Sequence, residues 1–461
     1  MSILEVFSPY DGTKLGEIER VTEEGLEQML QRADAVFKDR SKWLSISARV
    51  EILRKLSAML ETVSEDYAQM IAKECGKPLT DSRIEVSRAI NGIRLAIKEL
   101  PHMKGEEVPM GQTPSSEGRR AYTFMEPIGV VAAVSAFNHP LNLIIHQVVP
   151  AIAVGAPVII KPDSGTPLCA KRFVDMVYEA GLPKDWCQLC VCSQDITGKL
   201  TSDKRIAFLS FVGSARVGWL LVKNSYPGMR FALEHGGIAP AIVDKNIDDM
   251  DAVVASIAKG AFYHAGQVCI STQRVYVHSD VREEFCKKLI DKSNSLKVGD
   301  PLDAATEVGP LILPKELDRM DEWIAEAVSG GATVMCGGER ISESLYKPTV
   351  LFNPPKDAKV SREEVFGPVV SIYEYSDIDN ALELANDSEY PFQSAVYSTD
   401  INVINRLTEE LDASAVLVND HTAFRVDWMP FAGRRKAGFG IGGISHSMHD
   451  MTQYKMVVIK R

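Results

Sequence analysis

The sequence predicts an α/β protein: two parallel-sheet α/β domains in tandem, with a small β segment besides. Three observations predict this. At 461 residues the chain exceeds what one hydrophobic core ordinarily organises, so two or three domains are expected. From residue 129, short apolar runs alternate with amphipathic stretches, the rhythm of a parallel sheet covered by helices on both faces. After Gly236-Gly237 the alternation begins again.

The first third reads as helical. In "TEEGLEQMLQRADAVFKD", Thr22 is placed to cap, Glu23 and Glu24 suit the positive helix start, and Leu26, Met29, Leu30, Ala33 and Phe37 form one stripe. A second amphipathic helix is expected through "RVEILRKLSAMLETVSEDYAQMIAKECG", stopping at Gly76 with Pro78 beyond it. "GVVAAVSAF" (129–137) is the first buried strand. Pro140 opens a helix through "LNLIIHQVVPAIAVG", and Pro150 is expected to kink it or end its regular part. "PVIIKP" is a strand and "TPLCAKRFVDMVYEAG" a helix; "WCQLCVC", "RIAFLSFVG" and "MRFALE" are strands. In the second series "PAIVDK" and "QRVYVHS" are strands, and "MDAVVASIAKGAFYHAG" and "VREEFCKKLIDKSNS" helices. "ATVMCGG", "SIYEYS" and "ASAVLVND" continue it. The final "TQYKMVVIKR" is β-prone, with no later element to cover it, so it is expected to pair outside its own domain. No repeat, low-complexity tract or long linker is visible.

Composition narrows the function. Hydrophobic residues at 45% and charged residues at 25% are the profile of a soluble globular protein. A net charge of -11 speaks against nucleic acid or an anionic membrane as the main partner. No apolar run approaches the roughly 18 residues of a membrane span, and the amino terminus lacks the marks of a secretory signal. Eight cysteines are too sparse for a disulfide scaffold, which makes a reduced cytoplasm the expected location.

Several stretches suggest chemistry. "GFGIGG" (438–443) satisfies G-x-G-x-x-G, but "GRRKA" precedes it where an apolar strand is required, so a flexible glycine loop is expected. Cys187, Cys190 and Cys192 have zinc-like spacing without a second ligand pair, so they read as packing residues, and no metal is expected. His264 lies five residues before Cys269, which neither supplies nor excludes spatial contact. Cys269, in "FYHAGQVCIST", differs from the other seven cysteines. Gly266 permits close backbone approach, Gln267 is polar, and the segment falls between a helix and a strand. These features leave two readings open, a nucleophile or a packed thiol.

Seven segments in chain order resemble the aldehyde dehydrogenase superfamily: "PIGVVAAVSAFNHPLN", "VIIKPDSGTP", "FVGSARVG", "ALEHGG", "GQVCISTQR", "EEVFGPVV" and "MPFAGRRKAGFG". The resemblance implies a cofactor-binding domain from 1–107 and 129–236, a catalytic domain from 237–444, and a small β oligomerisation domain from 108–128 and 445–461. It implies NAD or NADP as cofactor, a small aldehyde as substrate, and a homodimer or homotetramer. Cys269 matches the family nucleophile, Asn138 the side-chain donor to the oxyanion, and Glu234 the general base that activates water. Lys161 matches the lysine at the adenosine ribose. Gly213 and Ser214 open a helix suited to a pyrophosphate. Glu364 and Phe366 match the residues at the nicotinamide end, and Phe137 stands where many members have tryptophan. Arg274, at Cys plus five, is expected to be structural, tied to a carboxylate.

Departures from the family pattern carry information too. Many NAD-preferring members have glutamate where Ser164 stands, so the repulsion of a 2'-phosphate is lost and NADP should be tolerated; Asp163, adjacent, could restore some of it. CoA-acylating members commonly lack the glutamate matched by Glu234, so hydrolysis to a free acid is expected. The alternatives are a CoA-acylating dehydrogenase and, from another class, a cofactor-independent cysteine thioester hydrolase or acyltransferase. Arg88, His146 and Arg425 fall where relatives acting on acidic aldehydes carry cationic groups, whereas Val268 stands where some have a further arginine. Together they suggest a short aldehyde with a carboxylate, phosphonate, sulfonate or phosphate tail. Neutral short aldehydes are the alternative.

Overall fold

Two parallel sheets dominate a computed structural model of the chain, which describes residues 2–460. The first sheet runs in the order Gly438–Phe439, Arg230–Glu234, Ile206–Val212, Val130–Val134, Val158–Lys161, Cys187–Leu189. All its neighbours are parallel except Gly438–Phe439, which is antiparallel to Arg230–Glu234. The second sheet has seven strands, Thr333–Cys336, Thr349–Phe352, Val369–Tyr375, Thr272–His278, Ala239–Val243, Gln393–Tyr397 and Ala415–Val418, with the first antiparallel. A third, antiparallel sheet joins Thr452–Lys460, Arg119–Pro127 and Glu107–Val108, so the tail pairs outside both larger sheets. Ile3–Phe7 and Lys14–Glu19 form a separate hairpin.

Apolar β-branched runs explain the two centres. Val130–Val134 and Ala239–Val243 are buried at every position, as expected of strands covered on both faces. Helix Asn142–Val154 is buried at all but one position and packs between the first sheet and helices Ile46–Thr62 and Leu79–Glu99.

Four expectations are corrected. The helix expected from Pro140 begins at Asn142, and Pro150 does not end it; the helix continues to Val154 and is capped by Gly155. The second amphipathic stretch is two helices, Ile46–Thr62 and Ser64–Cys75. Val63 leaves helical geometry between them, and Glu65 and Asp66 favour a fresh helix start. The strand expected through Cys192 stops at Leu189. "GFGIGG" is only partly a loop, since Gly438 pairs with Glu234 in the first sheet.

Candidate active site

In the first sheet the chain moves from Val130–Val134 outward to Val158–Lys161 and Cys187–Leu189. It then returns to place Ile206–Val212 on the other side. Such a reversal opens a crevice beyond the strand ends. Here the crevice is a cavity of about 890 Å³, and the last residues of four parallel strands line it: Val134, Lys161, Val212 and Glu234. Cys269 enters from the second sheet's side, in the turn before strand Thr272–His278.

Three hydrogen bonds fix the chemistry-bearing groups relative to one another. The Cys269 carbonyl accepts the N–H of Gly237 at 3.0 Å, three residues beyond Glu234. The Asn138 amide donates to the Gln267 carbonyl at 2.9 Å. Thr422 donates to the Ile270 carbonyl at 2.7 Å, holding the far side of the thiol turn. The amide of Asn138 keeps a second N–H for another acceptor.

Two glycines make room for two carboxylates. A Cβ on Gly442 would stand 2.1 Å from Oε1 of Glu234, and one on Gly236 would stand 1.7 Å from Oε1 of Glu364. The glycine-rich segment 438–443 therefore packs its backbone on Glu234 and serves no phosphate.

Burial sets the electrostatics. It raises the Glu234 carboxyl, with Arg425 opposing. It pushes the Cys269 thiol up to about 12; Glu364 and Glu234 add to the rise and Arg425 opposes it. The resting thiol is therefore protonated near neutral pH. Burial pushes Glu364 up to about 8, and its Oε1 has no partner.

The cavity lining brings together Phe137, Asn138, Lys161, Gly213, Ser214, Glu234, Cys269, Glu364 and Phe366, with Arg88, His146 and Arg425. The rings of Phe137 and Phe366 meet edge to face, centroids 5.8 Å apart. Ser164 is not brought in: it is exposed, and Asp163 lines the wall in its place, accepting the Gly165 N–H at 2.8 Å. His264 is turned away from Cys269, fully buried, with Nε2 3.5 Å from the thiol of Cys75. Arg274 is buried and structural, but it donates to the carbonyls of Ile238, Leu384 and Ala385 and not to the carboxylate expected. Cys187, Cys190, Cys192 and Cys286 are buried, and every cysteine is free.

The chain matches the model of the aldehyde dehydrogenase family over residues 2–457. It belongs to the aldehyde dehydrogenase family. This aldehyde dehydrogenase is 37% identical to the 3-sulfolactaldehyde dehydrogenase of Priestia megaterium, over 99% of this chain and 94% of that one. Among solved structures, aldehyde dehydrogenase 21 of Physcomitrella patens, in complex with its reaction product succinate, superposes with a TM-score of 0.95 at 32% identity. That likeness covers 100% of this chain and 95% of the other. The glyceraldehyde-3-phosphate dehydrogenase of Methanocaldococcus jannaschii, complexed with NADP, gives 0.94 at 31% identity and 99% coverage of both chains.

The enzyme uses NAD or NADP. The cavity's own groups fit a dinucleotide: a helix start at Ser214, a lysine at a strand end, and a buried carboxylate oxygen on Glu364 with no partner. Among the described residues no group of three or more His, Cys, Asp or Glu is arranged to hold a metal ion, and no helix is long and apolar enough to cross a membrane.

Sequence reading missed one feature of the wall and one buried group behind it. Glu316, Arg319 and Trp323 lie on helix Pro314–Ser329 at helical spacing, with the Arg319 guanidinium 4.7 Å over the Trp323 ring. Their i, i+3, i+7 pattern was the available signal. The other is Asp427, on which Arg88, Asn142 and His146 converge. Nothing in the local sequence announces it beyond an acid two residues after an arginine.

Proposed function

We propose that the chain oxidises a short, anionic-tailed aldehyde to its carboxylic acid through a cysteinyl thioester that water hydrolyses. The observation that carries this is that Cys269, Asn138 and Glu234 line a single cavity, with Asn138 and Gly237 bonded to the backbone of the Cys269 turn. The Cys269 thiol gives its proton to solvent water, and the thiolate attacks the aldehyde carbon and forms a thiohemiacetal. The free N–H of Asn138 and the backbone N–H of Cys269 are the donors for its oxyanion. When bound, the nicotinamide cofactor supplies the hydride acceptor, and loss of hydride leaves a thioester on Cys269. Lys161, Ser214 and the segment at Gly213 would hold its adenosine and pyrophosphate half, and Glu364, Phe366 and Phe137 would hold its nicotinamide half. Glu234 takes a proton from water, and that water attacks the thioester to release acid and thiol. A carboxylate whose affinity for protons is raised by burial is suited to this step.

The anionic tail is supported by Arg425. Its guanidinium lines the cavity, lies 3.5 Å over the Phe431 ring, and has no acceptor for Nε or Nη2. A buried cation without a partner is unfavourable unless a ligand completes it. The names of the relatives agree, one acting on 3-sulfolactaldehyde and one holding succinate. Assembly as a homodimer or homotetramer belongs to the same proposal, supported by the exposed Tyr454, Met456, Val458 and Ile459 of the carboxyl-terminal strand.

Product analysis tests the reading. With a short semialdehyde and NAD or NADP, one free acid should form per reduced cofactor, with no dependence on CoA. Formation of an acyl-CoA, or turnover without cofactor, would favour the other two chemistries.

A further inference from the structure

Asp427 stands two residues after Arg425 and is 1% exposed. Arg88 donates to it through Nη2 at 2.8 Å and Nε at 3.2 Å, Asn142 donates through Nδ2 at 3.1 Å, and His146 meets it through Nε2 at 2.9 Å. Arg88 lies on helix Leu79–Glu99, and Asn142 and His146 on helix Asn142–Val154. All three line the cavity.

The charges at this end can be counted. Arg88 and Asp427 cancel as a two-pronged ion pair. Burial holds the His146 imidazole down to about 4 in spite of Asp427, so it is neutral. Arg425 is the guanidinium that remains without an acceptor at Nε or Nη2. Val268, Ile270 and Phe431 give the wall beside it an apolar character.

We infer that Asp427 is a specificity-determining residue: by cancelling Arg88 it leaves a single positive charge, Arg425, for the substrate tail, and so selects a monoanionic head, carboxylate or sulfonate, over a dianionic phosphate. This rests on the anionic-tail reading above. With Glu234 ionised near Arg425, a monoanion leaves this end with one negative charge in excess. A dianion would leave still more negative charge in this poorly solvated wall. Arg88 and His146 then act as positioning residues, which tie the loop carrying Arg425 to two helices of the first sheet's layer. The distinction matters because this fold also serves a glyceraldehyde-3-phosphate dehydrogenase.

The test compares kcat/KM for 3-sulfopropanal, succinate semialdehyde, glycolaldehyde phosphate and propanal at about pH 8, where a phosphate ester is essentially dianionic. Each anionic aldehyde is expressed relative to propanal, which controls for folding and for the chemical step. The two monoanions separate sulfonate from carboxylate. Wild type should favour at least one monoanion over the phosphate by about tenfold or more. Asp427→Asn should move the ratio about tenfold toward the phosphate. Arg88→Gln, which leaves Asp427 uncompensated, should depress all three anions, the phosphate most. The double variant Arg88→Gln/Asp427→Asn should return to the wild-type ratio, because Arg88 does not grip the substrate. A wild-type preference for the phosphate would overturn the inference. So would an unchanged ratio in Asp427→Asn, or a double variant that loses the monoanions. Arg425→Gln reads the underlying proposal separately: if it leaves every anion-to-propanal ratio unchanged, the anion pocket itself is wrong, whatever Asp427 does.

Discussion

Cys269 was ambiguous in its own eleven residues, and its reading as a nucleophile came only from the other motifs of the chain. "FYHAGQVCIST" showed a polar, glycine-bearing turn, and the structure shows how that turn is held: the Cys269 carbonyl accepts the Gly237 N–H and the Ile270 carbonyl accepts the Thr422 hydroxyl. Residue identity at strand ends was legible, because Lys161 and Glu234 end apolar runs and such ends face ligands. Side-chain direction one residue past a strand was not. Ser164 read as the ribose neighbour, yet Asp163 lines the wall, pinned by the Gly165 N–H. A carboxylate there opposes a 2'-phosphate more directly than an uncharged Ser164 permits one. Asp163→Asn should therefore raise kcat/KM for NADP relative to NAD by about tenfold, a Coulombic effect on the order of 1–2 kcal/mol. Ser164→Glu should change that ratio less. Initial rates with both cofactors decide it; the reverse ranking would put Ser164 at the ribose.

Helices with long periodicity were legible. Helix Glu23–Lys38 carries its expected Thr22 cap, which accepts the Gly25 N–H, and its acidic first turn. Strands Thr349–Phe352 and Gln393–Tyr397 were missed, although Val158–Lys161 and Ala239–Val243, of the same lengths, were read. Capping between elements was invisible as well. Glu85, on helix Leu79–Glu99, accepts the N–H groups of Leu141 and Asn142 at 2.9 and 3.0 Å at the start of the next helix. Burial by itself would raise the Glu85 carboxyl, but Lys77 and His139 more than offset it and hold it below the usual carboxylate range. The same two helices pack closest at Gly92, where a Cβ would come 2.9 Å from Cγ2 of the fully buried Ile145. Gly92→Ala should destabilise the enzyme by about 1–3 kcal/mol through overpacking. Ile145→Ala, which removes the Cγ2 methyl at that contact, should cost less in the Gly92→Ala background than it does alone. Denaturant midpoints check this pair, and strict additivity would mean that the helices do not touch there.

At the scale of the whole molecule, the tandem α/β plan and the unpartnered tail were both legible, because they follow from pattern repeated over hundreds of residues. The tail pairs along nine residues with Arg119–Pro127. What pattern did not reveal is how the two large sheets share one site. The first supplies Glu234 and Asn138, the turn before Thr272–His278 supplies Cys269, and Gly438–Phe439 crosses from the later half of the chain to pair beside Glu234. Two glycine-to-carboxylate contacts, at Gly236 and Gly442, complete that junction, and they depend on chain crossings that no local window contains. The proposed chemistry divides the labour across it: Cys269 and Asn138 serve the attack on the aldehyde, and Glu234 serves the water. Rapid mixing of Glu234→Gln with aldehyde and cofactor separates the two roles. A burst of reduced cofactor of about one per active site is expected, at a rate near the wild-type first turnover, followed by a much slower steady state. A first turnover slowed as much as the later ones, with no burst, would contradict it.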